Sequence, residues 1–266
     1  MTDRVAEEVG RQYDRLTEDL AVFMGDDLQQ GYSAHLGYWD TPESRATFQE
    51  AMDRLTDLMT ERLRIGPGSR LLDVGCGAGA PAARIALRTG AEVTGVSVSQ
   101  EQIALADALA RTLSLTDRLS FSRADAMRLP YPDASFDAVL ALESMQHMPD
   151  RAQVLREMRR VVRPGGRIVL TDFYDRLPPV PVAPESMHAT TLSPDDYPPL
   201  LRSLDLRLVE LLDITAETVP RSLACLAEVA QGLDLDLDAA AGLGYYIVVA
   251  TAHRSPADGP GARGAA

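Results

Sequence analysis

The N-terminal part of the chain carries hydrophobic residues at spacings of three and four. These spacings predict an amphipathic helix over residues 3–24 and a second helix from about Pro42 to Arg64, with Thr41 as its cap. The apolar face of the first helix consists of Val5, Val9, Tyr13, Leu16 and Leu20, and that of the second consists of Phe48, Met52, Leu55, Met59 and Leu63. The sequence Gly66-Pro67-Gly68 then ends the helical pattern.

Beyond this break, short runs rich in β-branched and aliphatic residues alternate with helical stretches. The candidate strands are Arg70–Val74, Glu92–Val96, Leu119–Ser122, Ala138–Leu142, Arg167–Asp172, Arg207–Asp213 and Tyr245–Thr251. Helices are predicted between them near residues 80–89, 100–113, 150–162 and 194–204. This alternation predicts an α/β fold with a doubly wound, seven-stranded and mostly parallel sheet.

The same pattern suggests a division of the chain. Residues 1–64 are expected to form a helical cover, residues 65–253 the α/β core, and residues 254–266 a disordered tail. Two segments of the core, 176–200 and 215–241, do not fit a minimal sheet. Because insertions after strands tend to cover the ligand crevice, both are predicted to be cap segments.

Charge and composition restrict the class of partner. The formal net charge is −13, which disfavours nucleic acids and anionic membranes as partners. No apolar run approaches the roughly 20 residues that span a bilayer, and the N-terminus does not resemble a signal peptide, so we expect a cytoplasmic protein. Cys76 and Cys225 are the only cysteines; we expect neither a disulfide framework nor a bound metal.

The glycine-rich stretch Leu71–Ala80 is the most specific feature of the sequence. An apolar strand runs into glycines that open a helix, an arrangement that brings free backbone N–H groups close to a ligand. The spacing also satisfies the dinucleotide-binding pattern G-x-G-x-x-G/A. A nicotinamide enzyme would place an acidic residue at the end of the second strand, whereas Ser97 stands there, which argues against that class.

Five motifs in order resemble those of class I S-adenosylmethionine-dependent methyltransferases. The motifs are Asp73–Gly79, Arg123–Ala126, Leu129–Asp137, Glu143–Met148 and Leu155–Gly166. Together with His35-Leu36-Gly37-Tyr38-Trp39, they are most similar to the branch that includes ubiquinone-pathway, sterol, cyclopropane-forming and natural-product enzymes. The resemblance implies a Rossmann-like core and S-adenosylmethionine as the cofactor.

The resemblance also implies a set of cofactor contacts. They are Tyr13, His35, Asp73, Gly75, Cys76, Gly77, Gly79, Ser97, Val98, Gln102, Asp125, Ala126 and Leu142. The glycine loop would meet the amino-acid end of the cofactor, Ser97 and Gln102 the ribose, and Asp125 with Ala126 the adenine. Structural alternatives stay open: Asp125 as a turn former, Ser97 and Gln102 as an ordinary helix start, and Tyr13 as a core residue.

For catalysis we predict His147 and Asp172, since both follow strands whose carboxyl ends border the crevice. His147 would act as a general base and Asp172 would orient it or bind the acceptor. The alternative for His147 is a helix-start residue beside the cofactor. The leading hypothesis is O-methylation of a small-molecule acceptor such as a glycoside, polyketide or aromatic metabolite. C-methylation and a cyclase that retains the cofactor are the alternatives.

Overall fold

The computed structural model describes residues 2–24, 32–176, 190–229 and 240–253. The predicted tail and parts of both predicted cap segments therefore lie outside the described residues. Seven strands form one sheet. They are β1 (Arg70–Val74), β2 (Glu92–Ser97), β3 (Leu119–Arg123), β4 (Phe136–Ala141), β5 (Val162–Asp175), β6 (Leu206–Asp213) and β7 (Leu243–Ala252).

The strand order, β3-β2-β1-β4-β5-β7-β6, confirms the predicted doubly wound α/β architecture. β1 to β5 pair in parallel, and β7 is antiparallel to both β5 and β6. The order reverses at β1, which has β2 on one side and β4 on the other. Ligands of such sheets bind at the carboxyl ends of the strands beside this reversal.

Seven α-helices are described. They are α1 (Thr2–Met24), α2 (Phe48–Leu63), α3 (Ala80–Thr89), α4 (Gln100–Thr112), α5 (Arg151–Val161), α6 (Tyr197–Ser203) and α7 (Thr215–Val229). The start predicted for α2 near Pro42 is wrong. The helix begins at Phe48, where Thr47 and Glu50 form a capping box that satisfies the free N–H groups of the first turn.

β5 starts five residues earlier than predicted because it contains a bulge. Phe136 of β4 pairs with Val162, and Ala138 pairs with Arg167, so four residues of β5 stand opposite one residue of β4. Gly165 within this bulge has a φ of 78°. The Pro-Gly-Gly sequence therefore makes its turn inside the strand and lets pairing resume in register.

The sheet is buried on both faces, which explains the continuous apolar runs of its central strands. Leu140 contributes to the core on the face covered by α2 and α3, whereas the adjacent Val139 contributes to the core against α5 and α6. Both side chains are fully buried. This alternation fixes which side chains can reach the ends of the strands.

We predict that Leu140→Ala lowers the free energy of unfolding by about 2–5 kcal/mol, since it removes a buried side chain and leaves a cavity. Leu87→Ala is the control, because Leu87 is 58% exposed and its truncation should cost about 0.5 kcal/mol or less. Urea denaturation measures both values. Equal losses in the two variants would contradict the packing described here.

Candidate active site

A cleft lies at the carboxyl ends of β1, β2 and β4, where the strand order reverses. It has a volume of about 990 Å³, counting its open mouth. Its walls are formed by the glycine-rich turn after β1, the residues that follow β2, β3 and β4, and α1 with residues 32–35. The lining is more apolar than polar, as is usual for sites that bind small molecules.

The glycine-rich turn forms the floor of the cleft. Gly75 has a φ of 80°, and a Cβ atom there would lie 2.3 Å from the Cβ of Ser144. Gly77 has a φ of 53°, and a Cβ atom there would point into open space. Gly75 is therefore required for the close approach of β4, whereas Gly77 keeps its own position free for a ligand.

Asp73 lies beneath this turn as a buried carboxyl group. It is 2% exposed, and its Oδ2 atom has no hydrogen-bond partner in the described part of the chain. Burial away from water raises the pKa of Asp73 to about 7. A buried polar atom without a partner is costly, and a hydrogen-bond donor from a bound ligand or its water would offset this cost.

The residues after β2 form a hydrogen-bonded pair. Ser97 donates its hydroxyl to Oε1 of Gln102 at 2.8 Å and accepts the N–H of Ser99 at 3.1 Å. Both side chains are buried and line the cleft together with Val98. The Ser97 hydroxyl fixes the side-chain amide of Gln102, which leaves its NH₂ group as the remaining donor.

α1 closes the cleft from above. Ala6, Val9 and Tyr13 of this helix line the cavity. Asp14 accepts hydrogen bonds from the Ser99 hydroxyl at 2.5 Å and from the backbone N–H of Glu101 at 3.2 Å. Asp14 thus caps the N-terminus of α4 from another helix, and this contact fixes α1 against the site.

Asp125 and Ala126 follow β3 and also line the cleft. One carboxylate oxygen of Asp125 accepts the backbone N–H of Met127 at 2.9 Å. The structural alternative for Asp125, a turn former, therefore describes one of its roles. The carboxylate has a second oxygen and borders the cavity, so a ligand contact is compatible with the turn.

The wall after β4 contains Leu142, Glu143, Ser144 and His147. Glu143 has a φ of 50°, an uncommon conformation for a residue with a side chain. Its carboxylate accepts the N–H of Leu36 at 2.9 Å and the hydroxyl of Tyr245 at 2.8 Å. Burial raises the pKa of Glu143 to about 7 despite these hydrogen bonds.

His147 lies in a short 3₁₀ turn, Met145–His147, between β4 and α5. The ring of Tyr13 meets the ring of His147 edge to face, with 5.4 Å between the ring centres. This contact joins the N-terminal helix to the turn after β4 across the cleft. Tyr13 is therefore a wall residue of the site and not only a residue of the helix's apolar stripe.

His35 also lines the cleft but is held by neighbouring groups. Its Nδ1 atom lies 2.9 Å from the carbonyl oxygen of Leu36, and its Nε2 atom lies 3.3 Å from the hydroxyl of Thr56. Burial lowers the pKa of His35 to about 4, so the imidazole is neutral at physiological pH. A neutral ring with both nitrogens engaged suits a structural position.

Asp172 requires a correction. We expected it at the crevice, but it is fully buried and is not among the residues that line the cleft. Its carboxylate binds the guanidinium of Arg151 at 2.7 Å and 3.1 Å and the hydroxyl of Tyr197 at 2.9 Å. β5 continues past Asp172 to Asp175, so Asp172 does not lie at the strand end where the cleft opens.

The structure therefore brings together most of the residues singled out from the sequence. The predicted residues that line the cleft are Tyr13, His35, Gly75, Cys76, Gly77, Ser97, Val98, Gln102, Asp125, Ala126, Leu142 and His147. Asp73 and Gly79 support the turn from outside the lining, and Gly79 is the N-cap residue of α3. Tyr32 and Glu143 also line the cleft but were not among the predicted contacts. A carboxylate directly after a buried strand was the signal for Glu143.

Comparison of the chain with known proteins identifies its family. Residues 72–170 match the family model described as a methyltransferase domain. Methyltransferase GfsG of Streptomyces halstedii is 44% identical over 85% of this chain and 82% of that protein. The 27-O-demethylrifamycin SV methyltransferase of Amycolatopsis mediterranei (strain S699) is 41% identical over 83% of this chain and 81% of that protein.

A solved structure agrees with this assignment. The crystal structure of the [4+2]-cyclase SpnF is 33% identical, with a TM-score of 0.78 over 94% of this chain and 97% of that one. The chain belongs to the methyltransferase-domain family and is a class I S-adenosylmethionine-dependent methyltransferase with a Rossmann-like fold. In the described residues, no helix is long and apolar enough to cross a membrane.

The residues present fit this cofactor. Gly77 leaves open space at the floor, the Oδ2 atom of Asp73 lacks a partner, and polar side chains follow β2 and β3 at intervals along the cleft. An elongated ligand with a charged amino-acid end, a ribose and an adenine needs donors and acceptors in such a row. The nicotinamide interpretation, already disfavoured by Ser97, is not supported by any of the three relatives.

We predict that Asp125→Asn weakens binding of S-adenosylhomocysteine by about 1.5–3 kcal/mol, the usual value of a hydrogen bond to a charged group. Asparagine retains an oxygen for the Met127 N–H and so preserves the turn, but its second atom donates instead of accepting. Titration calorimetry measures the affinity, with the exposed Asp117→Asn as the control. Wild-type affinity in Asp125→Asn would limit Asp125 to its turn.

A second prediction concerns pH. Because the pKa of Asp73 is raised from 3.8 to about 7, the folded chain binds this proton more tightly than the unfolded chain. The contribution of Asp73 to stability is therefore fully present below about pH 4 and is lost as the pH rises through 7. Asp73→Asn should remove this loss.

Denaturation curves between pH 4 and 8 measure the effect. The unfolding free energy of Asp73→Asn, relative to that of the wild type, should rise by up to about 4 kcal/mol across this range. Glu92→Gln removes an exposed carboxylate at the start of β2 and serves as the control for surface charge. If the unfolding free energies of Asp73→Asn and the wild type change in parallel with pH, Asp73 is ionised in the folded chain over the whole range.

Proposed function

We propose that this enzyme transfers a methyl group to a hydroxyl of a small secondary metabolite, such as a glycoside, a polyketide or an aromatic compound. One relative acts on the hydroxyl at position 27 of a demethylrifamycin, as its name states, and the match extends over 83% of this chain. The mostly apolar lining of the cleft suits a bulky acceptor of low charge.

For the cofactor, we propose that the backbone of Gly75 and Gly77 meets the amino-acid end. Ser97 and Gln102 bind the ribose, and Asp125 and Ala126 bind the adenine. Tyr13 and His35 contribute to the same end of the cleft as the glycine turn. Placement along the cavity wall supports this assignment: the glycine turn, the Ser97–Gln102 pair and Asp125 with Ala126 lie at the ends of β1, β2 and β3, and Tyr13 and His35 line the cleft from the N-terminal part of the chain.

The observation that carries the O-methylation proposal is the position of His147 in the cleft wall. The bound cofactor supplies an electrophilic methyl group, so the protein has to position a nucleophile and remove its proton. An alcohol is too weak an acid to ionise near neutrality. Two histidines line the cleft, and of these His35 is buried whereas His147 is partly exposed. In our proposal His147 accepts the hydroxyl proton.

Glu143 has a supporting role in this scheme. Its carboxylate holds the N–H of Leu36 and the hydroxyl of Tyr245, and so joins the segment before α2 to the sheet beside the cleft. Because its pKa is raised to about 7, Glu143 carries a proton in part of the molecules at neutral pH. We propose that Glu143 shapes the acceptor end through its hydrogen bonds to Leu36 and Tyr245.

Two alternatives have different products. C-methylation of the same class of acceptor would give the same mass change at a different atom. The similarity to the [4+2]-cyclase SpnF favours, as a second candidate, a cyclisation that leaves the acceptor mass unchanged. Incubation with S-adenosylmethionine and a panel of hydroxylated macrolides, ansamycins and aromatic polyketides separates these outcomes. Mass spectrometry reports gain of one CH₂, and NMR of the product reports whether oxygen carries it.

We predict that His147→Ala lowers turnover at least tenfold with saturating cofactor, because general-base catalysis typically contributes a factor of about 10²–10⁴. Affinity for S-adenosylhomocysteine should change little. His253→Ala is the matched control, since His253 is exposed at the end of β7. Loss of cofactor binding with turnover intact at saturation would make His147 a cofactor contact and not a base.

A further inference from the structure

Asp172 and Arg151 form a buried ion pair behind the wall that carries His147. The pair is bidentate, at 2.7 Å and 3.1 Å, and the two side chains are 0% and 10% exposed. The hydroxyl of Tyr197 donates to the same carboxylate at 2.9 Å, as does the N–H of Phe173 at 2.9 Å. Both oxygens of Asp172 are therefore engaged in holding other elements.

Arg151 uses its remaining donors on Thr190, which lies in residues 190–196 ahead of α6. Its two terminal nitrogens donate to the hydroxyl and the carbonyl oxygen of Thr190, each at 2.6 Å. The N–H of Thr190 donates in turn to the carbonyl oxygen of Gln146 at 2.8 Å. Gln146 precedes His147 in the same 3₁₀ turn. A continuous series of polar contacts thus leads from Asp172 to the turn of His147.

The segment that receives Arg151 is itself fixed to the sheet. The N–H of Leu192 donates to the carbonyl oxygen of Phe173 at 3.1 Å, and the hydroxyl of Tyr246 donates to the carbonyl oxygen of Leu192 at 2.8 Å. The ring of Tyr197 packs against the ring of Tyr246, with 5.6 Å between centres. β5, β7, α5 and the start of α6 therefore meet at this pair.

We propose that Asp172 and Arg151 are positioning residues that fix the turn bearing His147 to residues 190–196. A buried ion pair contributes little stability compared with apolar residues of similar volume, so stability alone gives weak grounds for its presence. A bidentate guanidinium–carboxylate pair does, however, fix the relative orientation of its two side chains, which apolar packing does not. The inference rests on the proposed role of His147, and neither residue contacts the reacting atoms.

We call the Arg151–Asp172 pair the clamp. The test compares it with a second bidentate ion pair elsewhere in the chain. Arg151→Met/Asp172→Leu removes both charges together and so avoids an unpaired buried charge. The control is Arg62→Met/Glu210→Leu, which removes another bidentate pair, at 3.0 Å and 2.8 Å, between α2 and β6. The first readout is the imidazole Cε1–H resonance of His147, measured at one pH with S-adenosylhomocysteine bound. The chain has only four histidines, and His147→Gln assigns the signal.

We expect the clamp variant to shift or broaden the His147 resonance and to lower turnover on an acceptor found by the mass-spectrometric screen by at least tenfold. A displacement of about 1 Å is enough for losses of about 10²-fold. Affinity for S-adenosylhomocysteine should stay unchanged. The single variant Arg151→Lys should retain part of the turnover that the clamp variant loses. The control pair should leave the resonance and the turnover as in the wild type.

Two results would overturn the proposal: a wild-type His147 resonance in the clamp variant, or an equal change in the control variant. If the clamp variant does not fold, Arg151→Lys replaces it, because lysine keeps the positive charge but has one nitrogen in place of the three that contact Asp172 and Thr190. An unchanged resonance in Arg151→Lys would then count against the clamp. The resonance reports the position of His147 whether or not His147 proves to be the base, so the two proposals fail separately.

Discussion

The backbone after β1 has to leave the sheet beside β4 and enter α3 without filling the cleft with a side chain. At Gly75 this is a steric requirement, since a Cβ atom would lie 2.3 Å from that of Ser144. Ser144 in turn donates its hydroxyl to the carbonyl oxygen of Val74 at 2.7 Å, which ties β4 to the end of β1. The ends of β2, β3 and β4 that border the cleft are placed relative to this crossing by the pairing of the sheet.

Asp73, Glu143 and Asp172 are carboxyl groups of this region with different surroundings. Asp73 has no partner for one oxygen, and its pKa rises with burial. Glu143 accepts two hydrogen bonds, and its pKa is still raised. Asp172 is matched by a guanidinium in direct contact. Only the first two lie at the cofactor cleft or under its floor, where a carboxyl group that exchanges its proton near neutrality can respond to a ligand.

The sequence was sufficient wherever neighbouring residues determine the structure. The central parallel strands have continuous apolar runs, and the existence of all seven strands was predicted, including the antiparallel β6 and β7. The order of the motifs identified the cofactor-binding class. The error at α2 also has a local origin: Thr41-Pro42 and Thr47 with Glu50 both resemble helix starts, and the reciprocal hydrogen bonds of the capping box favour the second. Asp172 is different. Its partner Arg151 is 21 residues away. No local pattern indicates that β5 continues past Asp172 or that the carboxylate binds a side chain of α5.

This difference between local and distant determinants extends to the cleft itself. The side that we propose for the cofactor consists of strand ends and the turns that follow them, whose geometry is set by the hydrogen-bond register of the sheet. Its other side consists of α1 and the 3₁₀ turn of His147, which contact each other through Tyr13 and are held from behind by Arg151 and Thr190. Side chains on that side are placed by packing between elements far apart in the chain. In our proposal, substitutions around Thr190 and in α1 away from Tyr13 change acceptor specificity and leave the glycine turn, and with it cofactor binding, unchanged.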